Sequence, residues 1–201
     1  MNFQQYRIAE VLSIIFSAPL FAIYLFIIII ILDVIAVCSV TELLLIIFLG
    51  VIFLLIVPVL PIIHDYRRGS TDIYVSEREK RPKYFMIAIC GYFTGSVIFY
   101  FLDIIILSIF LLCYGTVTTS IFLANLITKV SVHTAGIAGP TTFMLLWYGY
   151  IFGLLYLILI PVGWSRYSLK AHNVKQLIIG AIIAVAVTFL TVLSANLLRK
   201  W

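Results

Sequence analysis

The side chains best suited to chemistry lie near the C-terminal end of the chain. Residues 163–180 read GWSRYSLKAHNVKQLIIG, in which Ser165 and Arg166 are followed by His172 and then by Gln176. A serine hydroxyl and a guanidinium group bind anions, and an imidazole beside them is a nucleophile. This segment therefore predicts an anion site with a nucleophile next to it.

His172 and Gln176 are predicted to form a pair. If the helix that leads into the last apolar span begins near Lys170, the two side chains lie one turn apart on the same face. A glutamine carbonyl accepts the Nδ1 proton of an imidazole and so orients the ring, but it supplies no negative charge. The alternative for Gln176 is a hydrogen bond between two helices with no part in a site.

A second candidate segment spans residues 131–140 and reads SVHTAGIAGP. Its small residues allow helices to approach closely, and a helix that starts there directs unpaired amides and its positive dipole end toward an anion. Ser131 and His133 at the start of this segment are thus candidates for anion binding and proton transfer. The alternative for His133 is a lone histidine at the membrane interface.

A third candidate is the one long polar segment, residues 64–83, which contains Arg78 and Arg81. A guanidinium binds two phosphate oxygens at once, so both arginines are candidate phosphate ligands. The alternative is a solvated loop with the basic bias of a cytoplasmic face. Asp65 and Asp72 are poorly spaced for metal binding, and we predict no metal site.

These three segments occur in the order of the three signatures of the type 2 phosphatidic acid phosphatase superfamily. Arg81-Pro82 resembles the end of the first signature, residues 131–133 resemble the second, and Ser165-Arg166 followed after five residues by His172 matches the third. The resemblance covers residues 74–180, about half of the chain. It implies a membrane-embedded enzyme that hydrolyses lipid phosphates without a metal or another cofactor.

The resemblance also implies a role for each matched residue. His172 would accept the phosphoryl group as a phosphohistidine, His133 would act as the general acid, and Gln176 would orient His172. The phosphate group would be bound by Arg166, Arg81, Ser131, Arg78 and Ser165.

The chain departs from the superfamily pattern at several positions, which indicates a divergent member. Tyr74 occupies the position of the first-signature lysine, whose phosphate contact is then missing or taken over by Arg78 or Lys80. Val132 stands where the second signature has glycine. Gln176 replaces the aspartate that orients the nucleophile.

The composition indicates the class of protein independently of these motifs. Of the 201 residues, 64% are hydrophobic and 10% are charged, and the mean hydropathy is +1.22. These values exclude an ordinary water-soluble globule. The net charge of +5 does not indicate nucleic-acid binding, because the basic residues lie in short loops between apolar runs.

The apolar runs predict one all-α domain over residues 1–201, a polytopic transmembrane bundle of about seven spans (six to seven). We expect prolines to bend or end helices in the first two. The predicted spans are 11–32, 43–63, 84–102, 104–128, two short helices divided near 147–150 within 134–163, and 177–198.

Counting crossings places all candidate site residues on one side of the membrane. Eleven of the 13 basic residues share that side, the exceptions being Arg199 and Lys200. The positive-inside rule makes it the cytoplasmic face, here of the plasma membrane. The favoured function is hydrolysis of a lipid monophosphate or diphosphate. Transfer of the phosphoryl group to an alcohol, and a non-catalytic membrane protein or transporter with the same fold, remain alternatives, and the oligomeric state stays open.

Overall fold

The computed structural model describes residues 3–198, with the backbone alone at 198, and this part of the chain is helical with no strand. The α-helices are numbered α1 to α9, and short π-helical and 3₁₀-helical segments join some of them. In chain order the elements are α1 Phe3–Ile15, α2 Ala18–Ile29, a π segment Ile30–Val34, α3 Val40–Val51, a π segment Ile52–Ile56, α4 Val57–Arg67, a 3₁₀ turn Arg78–Lys80, α5 Arg81–Phe101, α6 Ile105–Ile127, α7 Val132–Tyr148, a 3₁₀ segment Tyr150–Ile158, α8 Leu159–Ser168 and α9 Val174–Leu198.

The helices are long and apolar enough to make this an integral membrane protein. Within the described residues, five continuous helical segments have the length and composition of membrane spans, and the bent pair α1–α2 makes a sixth. Helix α7 has 17 residues and is mostly buried among its neighbours. The predicted all-α bundle of six to seven spans is confirmed.

The first predicted span is not one helix. It breaks between Ile15 and Ala18, and the two parts are bent by 50°. Ser17 is extended, and Pro19 lies in the first turn of α2, where its missing N–H costs no hydrogen bond. The break frees α1 to pack against α8 instead of continuing the line of α2.

The second span also differs from its prediction. Pro58 and Pro61 were expected to bend or end the helix near residue 63, but it continues to Arg67. A π-helical turn, Ile52–Ile56, directly precedes Pro58. Such a turn alters the hydrogen-bond register locally and accommodates residues that cannot donate to the helix ladder.

Close approaches at glycine residues hold the bundle together. A Cβ at Gly91 would lie 2.5 Å from Val57 Cγ1, and one at Gly95 would lie 2.7 Å from Phe53 Cγ, so these two glycines form the helix-packing face that their spacing indicates. Gly180 of α9 lies equally close to the carbonyl of Ser131, just before α7. The start of α7 is thereby fixed against the start of α9.

We expect Gly180→Ala to destabilise the protein, because its Cβ would lie 2.5 Å from the backbone oxygen of Ser131. Overpacking of this kind costs about 1–3 kcal/mol. In Gly163→Ala, the matched control, the nearest atom is Leu177 Cδ1 at 4.0 Å. Thermal unfolding in detergent should show a Tm several degrees lower for Gly180→Ala alone, and equal Tm values would contradict this packing.

Candidate functional site

A cavity of about 450 Å³ lies inside the bundle and contains most of the predicted chemistry. Its polar end is lined by Arg81, Arg166, His133 and His172, which come from three separate parts of the sequence, together with Tyr74. The structure thus brings together the two predicted histidines and two of the three predicted arginines. Each of these side chains is held in place by a different set of local contacts.

His172 lies in the short connection between α8 and α9 and is only 6% exposed. Its Nδ1 is 3.2 Å from Gln176 Oε1, as the sequence predicts. The expected helix start near residue 170 is wrong, because α9 begins at Val174. A capping box fixes this start: Asn173 Oδ1 accepts from the Gln176 N–H at 3.0 Å, and Gln176 Oε1 accepts from the Asn173 N–H at 3.3 Å.

The surroundings of His172 keep its imidazole neutral. Burial, followed by the positive charges of Arg81, Arg166 and Lys129, lowers its pKa from 6.5 to about 3. Since Gln176 Oε1 already accepts a backbone N–H, it also accepts from Nδ1 of His172, and Nε2 is left unprotonated. This is the protonation state that a nucleophilic imidazole needs.

Arg166 is a buried cation, 2% exposed, at the C-terminal end of α8. Its Nη1 donates to Ser13 Oγ at 2.6 Å, and its Cζ lies 4.7 Å from the ring centre of Tyr74. Its Nε is buried and has no acceptor, and no carboxylate of residues 3–198 forms an ion pair with it. A buried guanidinium in this state lacks an anion.

Arg81, at the start of α5, is also a buried cation and is 5% exposed. Its Nε donates to the Val75 carbonyl at 2.9 Å, and its Nη1 donates to the Val130 carbonyl at 3.1 Å and to Asn125 Oδ1 at 3.4 Å. These acceptors are all neutral, and among the described side chains no carboxylate pairs with Arg81. They orient the guanidinium but carry no charge themselves, and the negative charge of Asp72 acts on Arg81 only from a longer distance.

His133 lies in the first turn of α7 and is half-buried. Its Nε2 is 3.4 Å from Ser13 Oγ, and its ring centre is 6.3 Å from that of Tyr74. Tyr74, at the position where the resemblance expects a lysine, thus lies beside both His133 and Arg166. It supplies an aromatic face for a cation in place of a positive charge.

The loop before α5 holds Tyr74 in a strained turn. Asp72 Oδ1 accepts the Tyr74 N–H at 2.8 Å, and its Oδ2 accepts the Ser76 N–H at 2.8 Å. Between them Val75 has a φ of 47°, which is rare for a β-branched residue. The bond from Arg81 to the Val75 carbonyl helps to hold this conformation.

Three predicted phosphate ligands lie elsewhere in the structure. Ser131 caps α7, its Oγ accepting the Thr134 N–H at 3.3 Å, and the Ser165 hydroxyl donates to the Ala9 carbonyl at 2.5 Å. Arg78 donates to the Ile127 carbonyl at 2.9 Å at the protein surface. Both serine residues are fully buried. Ser131, Ser165 and Arg78 do not line the cavity.

Two residues beside the site do not belong to any of the sequence motifs. Ser13 of α1 lines the cavity between Arg166 and His133. Lys129 precedes α7, and burial together with the charges of Arg81 and Arg166 lowers its pKa. Lys129 could have been predicted from its position four residues before His133. Ser13 lies within the first apolar run, and nothing in the sequence around it indicates a place in the site.

The lowered pKa of His172 predicts a loss of stability in acid. Below pH 6.5 the unfolded chain binds a proton at His172, but the folded chain does not until about pH 3. The free energy of unfolding should therefore fall by about 2 kcal/mol from this group between pH 7 and pH 5.

Thermal unfolding at both pH values, in phosphate-free buffer, measures this effect against His172→Gln, whose side chain does not titrate. The wild type should lose several degrees more in Tm than the variant. Equal losses in the two proteins would show that His172 titrates normally.

Comparisons with known proteins do not test the resemblance to the phosphatase superfamily, which remains a prediction from the sequence. No protein-family model, no curated protein and no solved structure matches this chain. The function is therefore argued from the geometry of the site.

Proposed function

We propose that this protein is a membrane-embedded lipid phosphate or diphosphate phosphatase that works through a phosphohistidine. The observation that supports it best is the pair of buried guanidinium groups, Arg81 and Arg166, which share a cavity with two histidines and have no carboxylate partner in the described structure. A phosphoryl group supplies the missing negative charge, and its planar sets of oxygens suit a guanidinium fork.

The four side chains are sufficient for the reaction in two steps. Nε2 of neutral His172 attacks phosphorus, and the bond from phosphorus to the leaving oxygen breaks. His133 binds a proton once the phosphoryl group brings negative charge beside it, and it gives this proton to the leaving oxygen. Neutral His133 then takes a proton from water, which attacks the phosphohistidine and releases inorganic phosphate and free His172. Arg81 and Arg166 stabilise the charge on the phosphoryl oxygens throughout.

The shape of the cavity favours a lipid substrate. Its walls continue inward from the polar end and include Tyr92, eleven residues beyond Arg81 on α5, and both Ile121 and Phe110, eleven residues apart on α6. At 1.5 Å per residue each pair spans about 16 Å along its helix axis. The walls there are mainly apolar, so a hydrocarbon chain fits below a phosphate group bound by the arginines.

We place the site at the cytoplasmic face of the plasma membrane. The support is the charge distribution, with eleven of the 13 basic residues on the side of the site. A headgroup at this depth reaches the polar end of the cavity while its chain stays within the bilayer.

Substitution of the proposed nucleophile tests the function. Purified protein in detergent, with a metal chelator present, should release inorganic phosphate from a panel of lipid mono- and diphosphates. His172→Ala should lower the rate by at least about a thousandfold and abolish an acid-labile phosphoenzyme. His64→Ala is the matched control, because His64 is exposed, hydrogen-bonds to Asp65 and does not line the cavity; we expect its activity within twofold of the wild type.

Full activity of His172→Ala would assign the chemistry to another nucleophile. Absence of phosphate release from every lipid by the wild type would favour the non-catalytic alternative, a membrane protein that binds lipid phosphates without cleaving them.

Gln176 allows a second test, because it contacts both His172 and the helix cap. Gln176→Leu should lower kcat about tenfold to a hundredfold with KM within twofold, since the lost contact stabilises the imidazolium that forms in the transition state. It should also lower the Tm, because the capping box is lost.

Asn173→Ala separates the two effects, since it breaks the same cap without removing the partner of His172. We expect it to match the Tm of Gln176→Leu while kcat stays within twofold of the wild type. An equal fall of kcat in both variants would mean that Gln176 acts only through the helix start.

A further inference from the structure

The proposed site lacks the serine hydroxyl that the sequence predicts for it. Ser131 and Ser165 are both committed to backbone groups outside the cavity. A third serine, Ser13, is at the required place, although it lies on α1, which contributes to none of the motifs.

Ser13 is fully buried and its hydroxyl lies between the two groups that would handle the phosphoryl oxygens. Arg166 Nη1 is 2.6 Å from Ser13 Oγ, and His133 Nε2 is 3.4 Å from it. A guanidinium only donates, so the serine oxygen accepts from Arg166. The proton of the hydroxyl remains available, and the acceptor within reach is Nε2 of neutral His133.

We propose that Ser13 is a substrate-binding residue of this site and that its hydroxyl donates to a phosphoryl oxygen held by Arg166. The proposal rests on the proposed function, because it assumes that a phosphoryl group occupies the cavity. It adds a residue and a helix to the site.

The exchange of hydrogen bonds on binding is balanced. A phosphoryl oxygen replaces the serine oxygen as acceptor of the Arg166 N–H, and the Ser13 hydroxyl turns its proton from His133 to a phosphoryl oxygen. His133 Nε2, which no longer accepts from Ser13, is then free to bind a proton from solvent, and this is the proton that it gives to the leaving oxygen. Without a ligand, the same hydroxyl satisfies one donor of Arg166.

The ligand would also help to hold α1 in place. Helix α1 is separated from α2 by the 50° break, and it buries mainly Ala9 and Ser13 against the rest of the protein. The hydrogen bond from the Ser165 hydroxyl to the Ala9 carbonyl also joins α1 to α8. A phosphoryl group bonded to both Ser13 and Arg166 adds a link between α1 and α8.

Binding measurements on the full-length protein in detergent micelles test this without requiring turnover. Inorganic phosphate and a single-chain alkyl phosphate are titrated separately by calorimetry, so that the contribution of the phosphoryl group is distinguished from that of the chain. Ser13→Ala should raise Kd about tenfold or more for both ligands, the effect of losing a hydrogen bond to a charged group. Ala9→Gly, the matched control, loosens the same helix but keeps the hydroxyl, and its Kd should stay within twofold of the wild type.

Hydrogen exchange of the amides of Phe3–Ile15 gives a second readout. Phosphate should slow this exchange in the wild type and leave it unchanged in Ser13→Ala. A wild-type Kd retained or tightened in Ser13→Ala would overturn the role of Ser13 and leave the proposed function standing, as would an equal loss in Ala9→Gly. Failure of the wild type to bind either ligand would overturn both.

Discussion

Two buried positive charges that share one cavity are the constraint on which the rest of the site depends. Burying a guanidinium costs several kcal/mol unless its donors find acceptors and its charge finds a partner. Here the carbonyls of Val75 and Val130, the Asn125 amide and the Ser13 hydroxyl supply acceptors, all of them neutral. The helices thus orient the donors without a direct ion pair, and Asp72 acts on the two guanidinium groups only from a longer distance. This arrangement is what a preorganised anion site would require.

The same charges determine the protonation state of His172, the proposed nucleophile. With Arg81, Arg166 and Lys129 nearby, a protonated His172 is unfavourable, so its pKa falls and the imidazole remains neutral. A bound phosphoryl group would reduce this field and make a cationic His172 easier to form during attack. In the proposed mechanism the arginines would therefore keep His172 neutral before the substrate binds and allow it to become cationic afterwards, which reduces the need for a carboxylate beside His172.

The sequence predicted those features that depend on local spacing or on composition. The apolar runs indicated the all-α membrane bundle, and the spacing of His172 and Gln176 indicated their hydrogen bond. It failed where the direction of a side chain depends on a cap or on distant packing. The Ser131 hydroxyl caps its own helix, the start of α9 follows from Asn173, and Ser13 meets its partner 153 residues away. Hydrophobic periodicity carries no information on any of these three contacts.

The separation of Ser13 from Arg166 has a consequence for how the protein is made. Helix α1 leaves the ribosome long before α8, so during insertion its buried face has no helix to pack against and its serine has no guanidinium to contact. The candidate site is therefore completed only when the last third of the chain has entered the membrane. A chain that stalls before α8 holds Arg81 and His133 but lacks Arg166 and His172.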